Sequence, residues 1–131
     1  MRLSRPVSRS SGCDHDPSRV WSHSWTDDGR RLCWQPDLEG RFAVDVERNT
    51  QPVPASLAAR FGLEPASFWV AWTRAEVVAK LRDQPILALV NNEGLSPRLP
   101  KNAQLRTESV GDITFSYGVA AIPEIPSGRN S

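Results

Sequence analysis

The chain has 131 residues, a formal charge of +1 and an apolar fraction of 39%, with five Trp, eleven Pro and eight Gly. The length suits one folded domain with a modest core, and the apolar content excludes a fully disordered chain. The nearly balanced charge excludes a general attraction to nucleic acid or anionic lipid, so either partner would need a local basic patch.

The first residues, "MRLSRPVSRSSG", carry three Arg and no acid. This segment has too little apolar surface to offset the entropy of ordering, so we expect a solvated tail or a basic arm that a partner orders. No apolar run is long enough for a membrane span, and no hydrophobic region follows the arginines as in a secretory signal. We therefore expect synthesis and use in the cytoplasm, with Cys13 and Cys33 as reduced thiols.

The next segment, "RVWSHSWTDDGRRLCWQ", predicts a β-hairpin. Aromatic residues alternate along its first arm, Leu32 and Trp34 alternate along the second, and residues 27–29 supply an Asp-Asp-Gly turn. The following "GRFAVDVER" continues the alternation. A three-stranded meander over residues 20–48 is the predicted arrangement.

The middle of the chain predicts two helices. "ASLAARFG" is a short one, with Gly62 placed to end it. In "TRAEVVAKLRDQP", Thr73 and Glu76 match a T-x-x-E capping box and Pro85 matches a helix stop. The apolar "ILALV" at 86–90 is either a buried strand or a continuation of that helix beyond a kink. The expected buried stripe of the second helix is Val77, Val78 and Leu81.

The C-terminal part predicts two strand-like pieces after a loop at 91–102. They cover residues 105–110 and 113–117, and the Gly-Asp pair between them is compatible with a hairpin or with one bulged strand. A Ser/Thr/Tyr-rich strand has little apolar area for burial on both faces, so we expect an edge strand or one added to a neighbouring subunit.

These elements together predict a small single α+β domain. It has an N-terminal β-meander, two central helices and a C-terminal strand pair over residues 20–118. Extended arms flank it at 1–19 and 119–131, the second because its apolar residues stand beside prolines.

The sequence offers few residues for chemistry. It contains no nucleophile elbow, Walker loop or G-x-G-x-x-G run, so we expect neither an enzyme nor a cofactor. Cys13, His15, His23 and Cys33 are zinc-ligand types, but their spacing matches no familiar zinc motif, so we expect no metal. Whether these four side chains meet in space is left open.

One alternative function rests on residues 56–74, "SLAARFGLEPASFWVAW" and the two residues after it, which resemble a helix-turn-helix DNA-binding regulator. Ser67 and Arg74 would then contact DNA phosphates. The positions that would read base edges are Phe68, Trp69 and Trp72, and such an aromatic face is more typical of a core or a protein interface. DNA is a partner only under this alternative. A small binding module of unknown ligand is the other.

The leading expectation comes from "AQLRTESVGDITFSYG". A Glu-Ser-x-Gly turn at 108–111 leads into an alternating strand, and residues 104–118 resemble the C-terminal portion of head-to-tail connector proteins of tailed bacteriophages. The resemblance implies a non-enzymatic, ring-forming structural protein of the virion. Its partners would be copies of itself and neighbouring virion proteins, with no membrane involved. The implied interface residues are Ser109, Gly111, Ile113, Phe115 and Tyr117, with Trp69 and Trp72 in the core or the ring interface.

Overall fold

A computed structural model describes residues 6–9, 22–36 and 40–121. In this part of the chain, strands and helices combine as the predicted small α+β domain. The elements are β1 (Val7–Arg9), β2 (Ser22–Trp25), β3 (Arg31–Trp34), β4 (Arg41–Arg48), α1 (Ala55–Phe61), α2 (Pro65–Leu81), α3 (Ile86–Glu93), β5 (Gln104–Val110) and β6 (Ile113–Ala120).

The described strands form two antiparallel sheets, with orders β1-β3-β2 and β4-β6-β5. The predicted hairpin is confirmed as β2 and β3, in which Trp25 faces Arg31 across the turn. The prediction that β4 completes a meander with this hairpin is wrong. Since β1 and β2 already pair with the two sides of β3, no side of β3 remains for β4, which pairs along its whole length with β6.

The boundaries of the two predicted arms also need correction. Residues 7–9 form β1, so part of the segment expected to be disordered belongs to a sheet. Val119 and Ala120 are buried at the end of β6, so the second arm does not begin at 119. The rest of the predicted arms, 1–5, 10–19 and 122–131, lies outside the described residues.

The largest core lies between the two sheets. Trp34 from β3 meets Tyr117 from β6 edge to face, with ring centroids 5.3 Å apart. Such aromatic contacts contribute about 0.5–1.5 kcal/mol beyond the area they bury. The buried members of this core are Leu32, Trp34, Val44, Val46, Phe115, Tyr117 and Val119.

Helix α2 covers the opposite face of the second sheet. Pro65 stands at its start, where a missing N–H costs nothing, and Val77 and Leu81 pack on Ala43 and Ala120. The predicted start at Thr73 is therefore wrong. The helix begins eight residues before Thr73, so Thr73 lies in mid-helix. Its side chain is fully buried, and its hydroxyl donates to the Val70 carbonyl at 3.2 Å.

The other two helices precede and follow α2 in the chain. The short helix α1 is confirmed, and Gly62 ends it in the left-handed region at φ 64°. The segment "ILALV" belongs to a separate helix, α3, so its interpretation as a strand is wrong. Pro85 is the residue before α3 instead of the stop of α2, which ends at Leu81. Leu89 of α3 packs against α2.

Candidate interaction surface

The C-terminal hairpin is the part of the fold on which the connector resemblance rests. The two residues Gly111 and Asp112 join β5 and β6, with Val110 opposite Ile113 and Gly111 at φ 58°. A glycine with positive φ at the first central position is typical of a type II′ turn. Of the two alternatives left open by the sequence, the hairpin is the one observed.

Strand β6 lies in the centre of its sheet, so the expectation of an edge strand is wrong for it. Phe115 and Tyr117 are 3% and 1% exposed in the core between the sheets, and Ile113 packs against the same core. The buried side chains of Phe115 and Tyr117 therefore offer almost no surface to a neighbouring subunit. Of the implied interface residues on the hairpin, Ser109 and Gly111 are exposed.

The polar face of β6 is buried as well, under helix α2. Ser116 Oγ lies 2.8 Å from the hydroxyls of both Thr73 and Thr107, and Arg74 Nη1 donates to Thr107 Oγ1 at 2.8 Å. Buried hydroxyls are tolerated when each has a partner. This network explains why a strand so rich in Ser and Thr can be buried on both faces.

The aromatic residues of α2 serve the fold. Trp69 is 5% exposed and its Nε1 donates to the Gln51 carbonyl at 3.0 Å, while the half-buried Trp72 stacks on Phe68 with ring centroids 5.6 Å apart. A helix-turn-helix needs its first helix packed against the second. Helix α1 buries none of its residues. Ser67 is exposed on α2.

The two outer strands of the second sheet differ in how their edges are covered. At β4, Ser24 from the other sheet accepts the Val46 N–H at 3.3 Å and donates to Asp45 Oδ1 at 3.2 Å. At β5, β6 is the one pairing strand among the described residues. We call the unpaired side of Gln104–Val110 the β5 edge.

A groove runs beside the β5 edge, between α2 and the loop after α3. Its volume is about 260 Å³, below the roughly 300–1,000 Å³ typical of small-molecule sites, so it suits one or two side chains more than a cofactor. Arg74 is the cation in its wall. The groove is lined by Ser67, Val70, Ala71, Arg74, Val78, Leu95, Ser96, Pro97, Leu99 and Leu105.

Acidic side chains gather between β4 and α2. Burial, with the nearby Glu76 carboxylate second, raises the pKa of Asp45 well above its usual range, and Asp45 Oδ2 has no hydrogen-bond partner in the described part of the chain. Burial also raises the pKa values of Glu47 and Glu76. Lys80 Nζ donates to the Val44 carbonyl at 2.8 Å and stays 4.0 Å from Asp45. Within the described ranges, no group of three or more His, Cys, Asp or Glu is arranged to hold a metal ion.

The expectation of two reduced thiols is wrong for Cys33, which forms a disulfide. A disulfide sulfur cannot also serve as a thiolate ligand, so Cys33 does not contribute to the zinc site that was considered. The chain has one other cysteine, Cys13, which lies outside the described residues together with His15.

Comparison of the chain with known proteins identified no relative. No protein-family model, curated protein or solved structure matches the chain. Among the helices in the described part, none is long and apolar enough to cross a membrane.

Proposed function

We propose that this chain is a non-enzymatic structural protein that associates with other protein chains by strand addition at the β5 edge. The observation that carries the proposal is the contrast between the two outer strands of one sheet. On the outer side of β4, the Val46 N–H bonds to Ser24 and the Val44 carbonyl accepts from Lys80, whereas the side of β5 away from β6 has no described strand beside it. An unpaired edge of this kind is a template for another strand.

The direction of the backbone groups on β5 follows from its register. Because a two-residue turn makes Val110 and Ile113 a hydrogen-bonded pair, the alternation along the strand turns the N–H and C=O groups of Leu105, Thr107 and Ser109 away from β6. These residues present about six backbone hydrogen-bonding groups to an incoming strand.

The sequence of β5 lacks two common devices that protect sheet edges. Between Gln104 and Val110 there is no proline, and the pairing with β6 runs without a bulge. Val110 is a large apolar residue, and its side chain is 52% exposed. On the opposite face of β5, the groove beside α2 has room for a side chain of the added strand.

The connector setting is the narrower form of the proposal. It is supported by the resemblance of residues 104–118, and it places this chain in a virion neck with copies of itself and with neighbouring virion proteins. Ser109 and Gly111, where the hairpin turns, are the exposed members of the implied contact set.

The test is the mass of the purified protein, measured by light scattering over a wide concentration range. We expect the mass to rise with concentration for the natural chain and for Ser109→Ala, which keeps the outward N–H. Ser109→Pro removes that N–H and should stay monomeric with an unchanged circular dichroism spectrum. A natural chain that stays monomeric throughout, or a Ser109→Pro variant that associates as well as Ser109→Ala, would contradict strand addition at β5.

A further inference from the structure

We propose that the strand added at the β5 edge is β5 of a second copy, antiparallel to the first and related to it by a two-fold axis at Thr107. This inference rests on the proposed function and names its partner. A two-fold contact uses the same surface on both copies, so the surface has to be complementary to itself. The sequence "QLRTESV" of β5 meets that condition in its backbone and in its charges.

The backbone condition is met first. With the axis at Thr107, Leu105 lies opposite Ser109 of the second copy and Thr107 lies opposite its counterpart. These are the residues whose N–H and C=O groups point away from β6. Each outward N–H of one copy therefore lies opposite an outward C=O of the other. The two sheets would then join into one continuous antiparallel sheet.

The charge condition is met by the intervening residues. In this register Arg106 of each copy lies opposite Glu108 of the other, which gives two opposite-charge pairs. Both fall at non-hydrogen-bonded positions, where the strands approach more closely and side chains interact best. Arg106 is exposed, and the Tyr117 hydroxyl donates to Glu108 Oε2 at 2.6 Å, which holds that carboxylate on the face shared with Arg106.

Neighbouring registers are disfavoured by the same residues. Moving the axis by one residue in either direction keeps the outward backbone groups paired, but it places Arg106 opposite Arg106 or Glu108 opposite Glu108. Like charges directly opposite each other destabilise a strand pair. The charges of β5 therefore select the register centred on Thr107.

Helix α2 adds one like-charge contact on the other face of the joint. Arg74 reaches Thr107 from α2, so each copy places one guanidinium near the axis. In the two attractive pairs, Arg106 and Glu108 lie directly opposite each other, and these pairs outnumber this one repulsive contact between Arg74 side chains.

The test uses charge reversals whose effects on a two-fold contact differ from those on any other contact. Arg106→Glu and Glu108→Arg should each weaken self-association by roughly tenfold or more, since each turns both attractive pairs into repulsive ones. The double variant Arg106→Glu/Glu108→Arg should restore association. An equimolar mixture of the two single variants should form mixed dimers, because its pairs are again complementary.

Sedimentation equilibrium of each variant and of the mixture gives the dissociation constants. Lys101→Glu, an exposed charge reversal outside β5, is the matched control and should associate like the natural chain. Dimers with this pattern of loss and rescue uphold the inference. Association that ignores the charge reversals, or a closed oligomer larger than a dimer, overturns the two-fold pairing and leaves strand addition in place. Absence of association in the natural chain overturns both.

Discussion

Asp45→Asn should stabilise the protein at neutral pH, although it alters a residue in the middle of a strand. Asp45 is 7% exposed, one of its oxygens has no hydrogen-bond partner among the described residues, and burial, followed by the Glu76 carboxylate, disfavours its ionised form. Asparagine keeps an oxygen to accept from Ser24 and removes the charge. The asparagine Nδ2 takes the place of the unpartnered Oδ2, so the gain comes from removing the buried charge, whose desolvation costs more than that of a neutral group. We expect a gain of about 1 kcal/mol, or roughly 4 °C in melting temperature.

The pH dependence of this gain follows from the direction of the Asp45 pKa. Because folding raises this pKa, the favourable contribution of Asp45 is complete below its ordinary pKa, near 3.9, and is lost as the pH rises through the folded value. The difference between variant and natural chain should therefore be small near pH 4 and grow toward pH 7.

Urea denaturation at pH 4, 5.5 and 7 measures this difference, with Glu64→Gln as a matched control at an exposed carboxylate. The natural chain should itself gain stability as the pH falls below 7, because Glu47 and Glu76 shift in the same direction as Asp45. If the free energy of unfolding of Asp45→Asn, minus that of the natural chain, is lower at pH 7 than at pH 4, the prediction is wrong. Asp45 would then act as an ionised partner of Lys80.

Two further substitutions test the core. Phe115→Ala should cost about 3–5 kcal/mol, while Val110→Ala on the same hairpin should stay within about 0.5 kcal/mol because its side chain is 52% exposed; equal losses in chemical denaturation would contradict the central position of β6. Gly118→Ala places a Cβ 2.8 Å from the Gln104 carbonyl oxygen and 3.1 Å from Val77 Cγ1. It should cost about 1–3 kcal/mol, and a thermal melt unchanged from the natural chain would show that α2 packs less closely on β6 than described.

Local turn and cap chemistry allowed the first hairpin and α1 to be predicted from the sequence, and it left the second hairpin as one of two alternatives. The Asp-Asp-Gly triplet and the Gly-Asp pair stand where the two tight turns occur, and Gly62 ends α1 in the conformation that glycine favours. These signals act over a few residues, so the sequence contains all the information they need.

The strand order could not be predicted in the same way. The partner of β4 is β6, about seventy residues further along the chain, and no local pattern in "GRFAVDVER" distinguishes it from β3. What decides the pairing is that β1 and β2 occupy both sides of β3. This is a property of the assembled sheets.

The start of α2 was missed although a signal was present. Thr73 and Glu76 match a capping box, but Pro65 also matches the first position of a helix, and the tertiary environment decides between them. Burial of the Thr73 hydroxyl against Ser116 gives it a partner in mid-helix. The same bond explains why the polar face of β6 is buried instead of facing solvent or a partner.

The sequence predicted the β5 edge only in part. The expectation of an edge strand that meets a neighbouring subunit was placed on residues 113–117, one strand too late in the hairpin. Whether β5 or β6 lies at the edge of the sheet depends on which of them pairs with β4, and the sequence does not predict that pairing. Once that position is known, the self-complementary charges of Arg106 and Glu108 can be read directly from "QLRTESV".

Amide hydrogen exchange along β5, compared at low and high protein concentration, tests strand addition most directly. The N–H groups of Arg106 and Glu108 bond to β6 and should be protected at both concentrations, which makes them an internal control. Those of Leu105, Thr107 and Ser109 should exchange quickly in dilute solution and become protected as the concentration rises. If these outward amides exchange equally fast at both concentrations while the mass of the protein increases, association uses another surface and the account of the β5 edge is wrong.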